Sequence, residues 1–344
     1  MTATPDAAQP KLPVLASVRV AGQSATAAVV HDSRVSSLRR LLPGAPATLT
    51  EVVRAWDVLG DRVEALLAEP ETATQLAQSG MPLSEVEILA PVTDTQTFCA
   101  IGNYRGQLAQ VALDVANDAD DPRQILSGLE RGWRERRSTG APYVALTGSA
   151  RIAGAFDNLE LDDDVTTLDW EVELAAVIGR RAMHLRPETA LEVVAGYCVA
   201  NDLTMRGSVL RSDVPGLGGD WLACKGRPGW LPLGPWLVPA GHVPDPDSLG
   251  LELRLNGVTM QAERTSDMLF SIAEVIAHVS QHTELRPGDV VCTGSPAGFG
   301  AHYGRFLRAG DVLDASVAGL GTQRTTVVRS SAPVRAGVRQ SETT

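Results

Sequence analysis

The sequence predicts an α+β fold: a β-rich mixed β-roll preceded by a small N-terminal α+β domain. Three observations predict it. Short apolar runs of strand-favouring residues recur through the larger, C-terminal part of the chain, punctuated by Gly and Pro. Long helical patterns are few there, so the regular strand–helix alternation of a doubly wound parallel sheet is missing. An Ala/Leu/Val-rich stretch over 14–89 carries hairpin and helix spacings of its own.

Taken in order, residues 1–13 are rich in Ala, Pro and Thr and are expected to be disordered. Residues 18–30 alternate like a hairpin, and 49–76 have helical spacing. The stretch 82–91 reads as a connector, which divides the chain into a domain at 14–91 and another at 92–330. A strand is predicted at 97–102. The segment 114–140 pairs an acidic run (Asp114, Asp118, Asp120, Asp121) with a basic one (Arg131, Arg134, Arg136, Arg137) around a helix at 125–136. It reads either as a solvated helical excursion or as a lid presenting an arginine to an anionic substrate. Further strands are predicted at 171–178, 196–200, 251–255, 289–293 and 312–317, and helices at 187–194 and 266–282. Asp267 is read as the N-cap of the last helix. The polar tail, 331–344, is expected to fray.

With 344 residues, 44% of them apolar, the chain can bury a large core. A formal net charge of −11 without a basic stripe argues against a nucleic-acid partner. No apolar run reaches the ~18–20 residues that span a bilayer, and no charged-then-apolar leader opens the chain. A soluble, cytoplasmic protein without a membrane partner is therefore expected. Cys99, Cys198, Cys224 and Cys292 form no CxxC pair and read as reduced, buried thiols. The six histidines show no HxH or HExxH spacing, which argues against zinc.

The run Asp169-Trp170-Glu171-Val172-Glu173 opens the strand at 171–178. Residues i and i+2 of a strand share a face, ~6–7 Å apart, so Glu171 and Glu173 aim two carboxylates at one spot. Like charges held so close need a cation, or one of them takes up a proton. A hard divalent ion prefers oxygen ligands. Asp202 follows the next apolar strand, beside Asn201, and can add a third carboxylate. Such a set suits Mg²⁺ or Mn²⁺ with positions left open for substrate; capping or ion-paired surface acids are the other reading of the same spacing. Trp170 reads as a packing anchor, and Trp221 and Trp230 either wall a pocket or close the core.

The motif Asp-Trp-Glu-x-Glu-Leu-Ala-x-Val-Ile-Gly, followed by Val-x-Gly-Tyr-x-x-Ala-Asn-Asp-x-Thr-x-Arg, resembles the fumarylacetoacetate hydrolase family. Gly234-Pro235, Leu255-Asn256-Gly257, Thr265-Ser266-Asp267-Met268-Leu269-Phe270, Pro287-Gly288-Asp289 and Thr293-Gly294-Ser295-Pro296 continue the resemblance in order, over about 97–328. It implies a homodimeric β-roll with Mg²⁺ or Mn²⁺ on Glu171, Glu173 and Asp202, acting on small 2-oxo or β-diketo acids. It places Lys225 as the active-site lysine beside a developing oxyanion. Arg206 either anchors a substrate carboxylate or braces Asp202, and Tyr104, Thr293 and the Gly294 amide are expected to contact substrate.

One departure matters for the chemistry. Hydrolytic members carry Asn-Tyr-x-x-His-x-x-Glu, where this chain has Asn103-Tyr104-Arg105-Gly106-Gln107-Leu108-Ala109-Gln110. An amide at Gln107 can orient a water but cannot take its proton near neutral pH. Gly207 and Leu146 also replace an Asp and a Lys common in the family. Hydrolysis of a C–C bond is the first expectation, with His302 as the substitute base; an ordinary turn around Ala301-His302-Tyr303-Gly304 is the other reading of that histidine. Decarboxylation or keto–enol isomerisation using only the metal and Lys225 is the second reading. A non-catalytic metal-binding relative is the third.

Overall fold

The computed structural model describes residues 10–117, 120–210, 213 and 218–330. The tail expectation and most of the expected disordered start fall outside these residues, as does Asp118. Of that start, Pro10 is buried, and its carbonyl accepts the Asp32 N–H at 3.1 Å.

Among the described residues, two large mixed sheets, a two-stranded antiparallel pair (Leu168–Asp169 with Thr204–Met205) and a layer of helices build the molecule. In the larger sheet, Val14–Val20, Leu231–Pro239, Val194–Asn201, Val172–Ile178, Val290–Cys292, Thr97–Ala100 and Val144–Thr147 lie side by side in that order. Val290–Cys292 pairs parallel with Thr97–Ala100; the other neighbours in this series are antiparallel. The smaller sheet runs Val258–Arg264, Gly250–Leu255, Val312–Val317, Gly321–Arg329, Leu159–Leu161.

The strand Val172–Ile178 is buried along its whole length, which explains its near-continuous apolar sequence. Its side chains still alternate between faces. Leu174 and Ala176 pack into a core with Leu253, Leu313 and Ala315 of the smaller sheet. Ala175 and Val177 pack the other way, against Leu49, Val53 and Trp56 of the helices Leu49–Arg54 and Trp56–Ala68. Thr48 starts the first of these helices with a reciprocal capping box to Glu51.

The expected hairpin is Val14–Val20 with Thr26–His31. The helical stretch resolves into three helices, Leu49–Arg54, Trp56–Ala68 and Pro70–Ser79, the last opened by a proline. Two helix expectations need correction. The stretch at 187–194 is a 3-10 helix, Pro187–Val193. The later helix starts at Ile272 rather than 266, because Ser271 and Glu274 form its capping box. Asp267 instead accepts the Gly106 N–H at 2.8 Å, at the start of the helix Arg105–Asp114.

Candidate active site

Antiparallel pairing brings the three predicted acids together. Glu173 lies opposite Ala200, and Glu171 and Asp202 sit at the facing ends of the two strands, where the Asp202 N–H donates to the Glu171 carbonyl at 2.9 Å. Asn201 accepts the Glu171 N–H through its Oδ1 at 2.9 Å. One oxygen from each of Glu171, Glu173 and Asp202 lies within 4.8 Å of the others. All three side chains are buried.

Each carboxylate has one oxygen held by a group other than Lys225. Arg206 donates to Glu171 Oε1 at 2.5 Å, the Gly294 N–H donates to Glu173 Oε2 at 2.7 Å, and Arg151 ion-pairs with Asp202 Oδ1. The second oxygens share one space. Lys225 Nζ donates to Glu171 Oε2 at 2.9 Å and to Asp202 Oδ2 at 2.6 Å, and its remaining proton goes to Thr204 Oγ1 at 2.6 Å. Among the described residues, Glu173 Oε1 is buried without a partner.

That orphan oxygen and the convergent hard donors fit a divalent ion such as Mg²⁺ or Mn²⁺. Burial, with the charges of Asp202 and Glu171, pushes the Glu173 carboxyl well above the ordinary glutamate range. Burial would raise Asp202 as well, but Arg151 and Lys225 overcome it and hold that carboxyl below its usual range. Lys225 is likewise held above its usual value: Asp202 and Glu171 outweigh the desolvation that would lower it.

Lys225 ends the helix Trp221–Lys225, whose N-terminus is capped by Asp220 accepting the Ala223 N–H. Arg206 braces Glu171 and, at 2.9 Å, Asp169; of its two expected roles, the brace on Asp202 gives way to these two contacts. Thr293 and Gly294 also depart from expectation: the Thr293 hydroxyl donates to the Leu174 carbonyl at 3.0 Å, and the Gly294 amide is spent on Glu173. Both donors therefore hold the strand ends in place instead of facing outward.

Tyr104 is fully buried, and its hydroxyl lacks a hydrogen-bond partner among the described residues. Burial first, then the Glu173 charge, raise its phenol above the ordinary range. Gln107 is buried with Oε1 unpaired among the described residues, while Gln110 accepts the Gly298 N–H at 2.7 Å. The Nδ1 of His302 meets Asp114 Oδ1 at 2.9 Å, at the far end of the helix that carries Gln107. Trp170 is buried, donating to the Gly298 carbonyl, and Trp230 is buried too.

Of the basic run at 131–137, Arg136 donates to the Gly102 carbonyl and Arg137 to Glu274, and both stack over Phe270 at 5.4 and 5.3 Å. Sequence reasoning missed Arg151, Asp169, Thr204 and Asn103. A lone arginine in the otherwise small and apolar run Ser149-Ala150-Arg151-Ile152-Ala153 was the available signal for the first.

A family model for the C-terminal part of fumarylacetoacetate (FAA) hydrolase matches residues 96–328. The chain belongs to the fumarylacetoacetate hydrolase family. The mitochondrial oxaloacetate tautomerase FAHD2A of Bos taurus is 32% identical over 290 residues, 83% of this chain and 82% of that protein. A 2,4-didehydro-3-deoxy-L-rhamnonate hydrolase of Sphingomonas sp. (strain SKA58) is 37% identical over 186 residues, 53% of this chain and 64% of its own length. Among solved structures, the fumarylacetoacetate hydrolase of Exiguobacterium antarcticum superposes with a TM-score of 0.69 at 26% identity, covering 92% of this chain and all of that one. The family thus includes proteins named as hydrolases and as tautomerases, on the same mixed α+β fold. Among the described residues, no helix is long and apolar enough to cross a membrane.

Proposed function

We propose that the protein is a Mg²⁺- or Mn²⁺-dependent enzyme that forms an enolate from a small 2-oxo acid, for keto–enol interconversion or loss of CO₂ from a β-oxo acid. The observation that carries this is the pairing of three inward carboxylate oxygens and Lys225 with amides, Gln107 and Gln110, on the neighbouring helix. A bound divalent ion would supply Lewis acidity toward the 2-oxo carboxylate. Lys225 supplies a fixed positive charge beside the oxygen on which negative charge grows. Tyr104 OH and Gln107 Oε1 offer unpaired polar atoms to the substrate. Loss of CO₂ leaves its electron pair on the enolate and needs no base. Keto–enol interconversion passes the proton of the carbon beside the 2-oxo group to bulk water and returns one to the enolate oxygen, so neither reaction needs the activated water that Gln107 cannot provide. The name of the bovine relative agrees with this reading.

Hydrolysis of a C–C bond is the second reading, favoured by the His302–Asp114 pair, which has the form of a base oriented by a carboxylate. The proposal assigns the chemistry to 92–330 and a buttressing role to 14–91, in a cytoplasmic homodimer that light scattering would register as twice the chain mass.

Oxaloacetate tests the reading. With Mg²⁺ or Mn²⁺, enol decay and pyruvate release are followed in parallel; at least one is expected to accelerate and to stop with chelator. Acylpyruvate cleavage faster than both, or a clear gain in cleavage on Gln107→His, would replace enolate chemistry with hydrolysis. Metal binding without turnover of either substrate class would leave a binding protein.

A further inference from the structure

Arg151 is fully buried in a centre that the sequence pattern does not assign to it. Its guanidinium holds Asp202 Oδ1, donates to the Trp230 carbonyl at 3.3 Å and to Thr147 Oγ1 at 3.1 Å, and touches Cys99 Sγ. These contacts fix both the guanidinium and Oδ1 of the carboxylate it grips, so Oδ2, which here accepts from Lys225 at 2.6 Å, is the oxygen Asp202 would turn to an ion. Arg206 does the same to Glu171, and the Gly294 amide to Glu173.

Three acids restricted in this way supply three protein oxygens, where the same acids binding through both oxygens would supply up to six. The difference separates ions. Mg²⁺ and Mn²⁺ accept six-coordination completed by water or substrate, whereas Ca²⁺ favours six to eight oxygens and readily takes carboxylates through both oxygens. We propose that Arg151 is a positioning residue for metal selectivity: by occupying Asp202 Oδ1 it keeps that ligand single-toothed and disfavours Ca²⁺ against Mn²⁺ or Mg²⁺. This rests on the metal reading of the proposed function.

The test is made on the full chain. Mn²⁺ affinity is measured by calorimetry or by loss of the free-ion EPR signal, and Ca²⁺ by competition, in the parent protein, Arg151→Met and Arg151→Lys. Removing a positive charge tightens both divalent ions together, so charge cancels in the ratio of the two affinities. In Arg151→Met the preference for Mn²⁺ over Ca²⁺ is expected to fall at least fivefold; Arg151→Lys, whose ammonium can still take Oδ1, is expected to keep most of it. An unchanged ratio in a folded Arg151→Met overturns the proposal. If circular dichroism shows that variant unfolded, Arg206→Met, which frees Glu171 Oε1, is read for the same fall, and an unchanged ratio there overturns it equally. Failure of the folded parent protein to bind Mn²⁺ at millimolar concentration would instead sink the metal reading itself, and this inference with it.

Discussion

Glu173 is where solvent pH reaches the centre. Its folded carboxyl titrates well above the ordinary glutamate range, because ionising it places an unpaired charge among two others in a buried site. A raised value means that the metal-free fold is favoured while Glu173 holds its proton, and that this advantage is lost as pH climbs through the folded value. Asp202 acts in the opposite sense: its lowered value gives stability above the ordinary aspartate range, lost as pH falls through the folded value. In chelator, thermal midpoints are therefore expected to decline as pH rises above the ordinary glutamate range, and Glu173→Gln is expected to flatten that decline. The same melts with Mn²⁺ should show a stabilisation that grows with pH, since the ion replaces the proton. A Glu173→Gln protein that keeps the full decline with rising pH would refute this assignment.

At the scale of elements, Asn103 holds the site helix to its surroundings. Its Nδ2 donates to the Phe270 and Thr293 carbonyls at 2.9 Å each, and its Oδ1 accepts the Phe270 N–H at 2.9 Å. One side chain thus joins the start of the helix Arg105–Asp114, the end of the strand Val290–Cys292 and the approach to the helix Ile272–His282. Asn103→Ala leaves three buried backbone groups without partners. A loss of about 3 kcal/mol or more is expected, read from denaturant unfolding. Tyr104 and Gln107 would lose their anchor too, so a KM effect should accompany the instability. A loss under about 1 kcal/mol would mean that water satisfies the freed groups.

For the whole molecule, the decisive feature is that the first segment does not form a separate sheet. Val14–Val20 pairs with Leu231–Pro239, and Trp56 packs on the backbone where the strand Val172–Ile178 ends. At Gly179, an added methyl would lie 2.6 Å from Trp56 Cδ1 and 2.9 Å from Ala195 Cβ. Gly179→Ala is therefore expected to cost about 1–3 kcal/mol, seen as a lower melting temperature. Because that strand begins at the acids, Mn²⁺ affinity should weaken in parallel. A neutral Gly179→Ala would show that Trp56 can move away cheaply.

The linear chain determined much of this protein by itself. Alternation and burial-grade apolar runs fixed the strands, because side chains two apart must share a face. The ordered motifs from Asp169 to Gly321 identified the three acids and Lys225 as a set. Tertiary structure alone decided how that set is wired. Arg151 meets Asp202 across 51 positions of sequence, Arg206 chooses Glu171 and Asp169 over Asp202, and His302 settles on Asp114. Local spacing says which residues can point the same way. Which buried charge neutralises which depends on strands paired far along the chain, where the cost of leaving any charge unpartnered selects the final contacts.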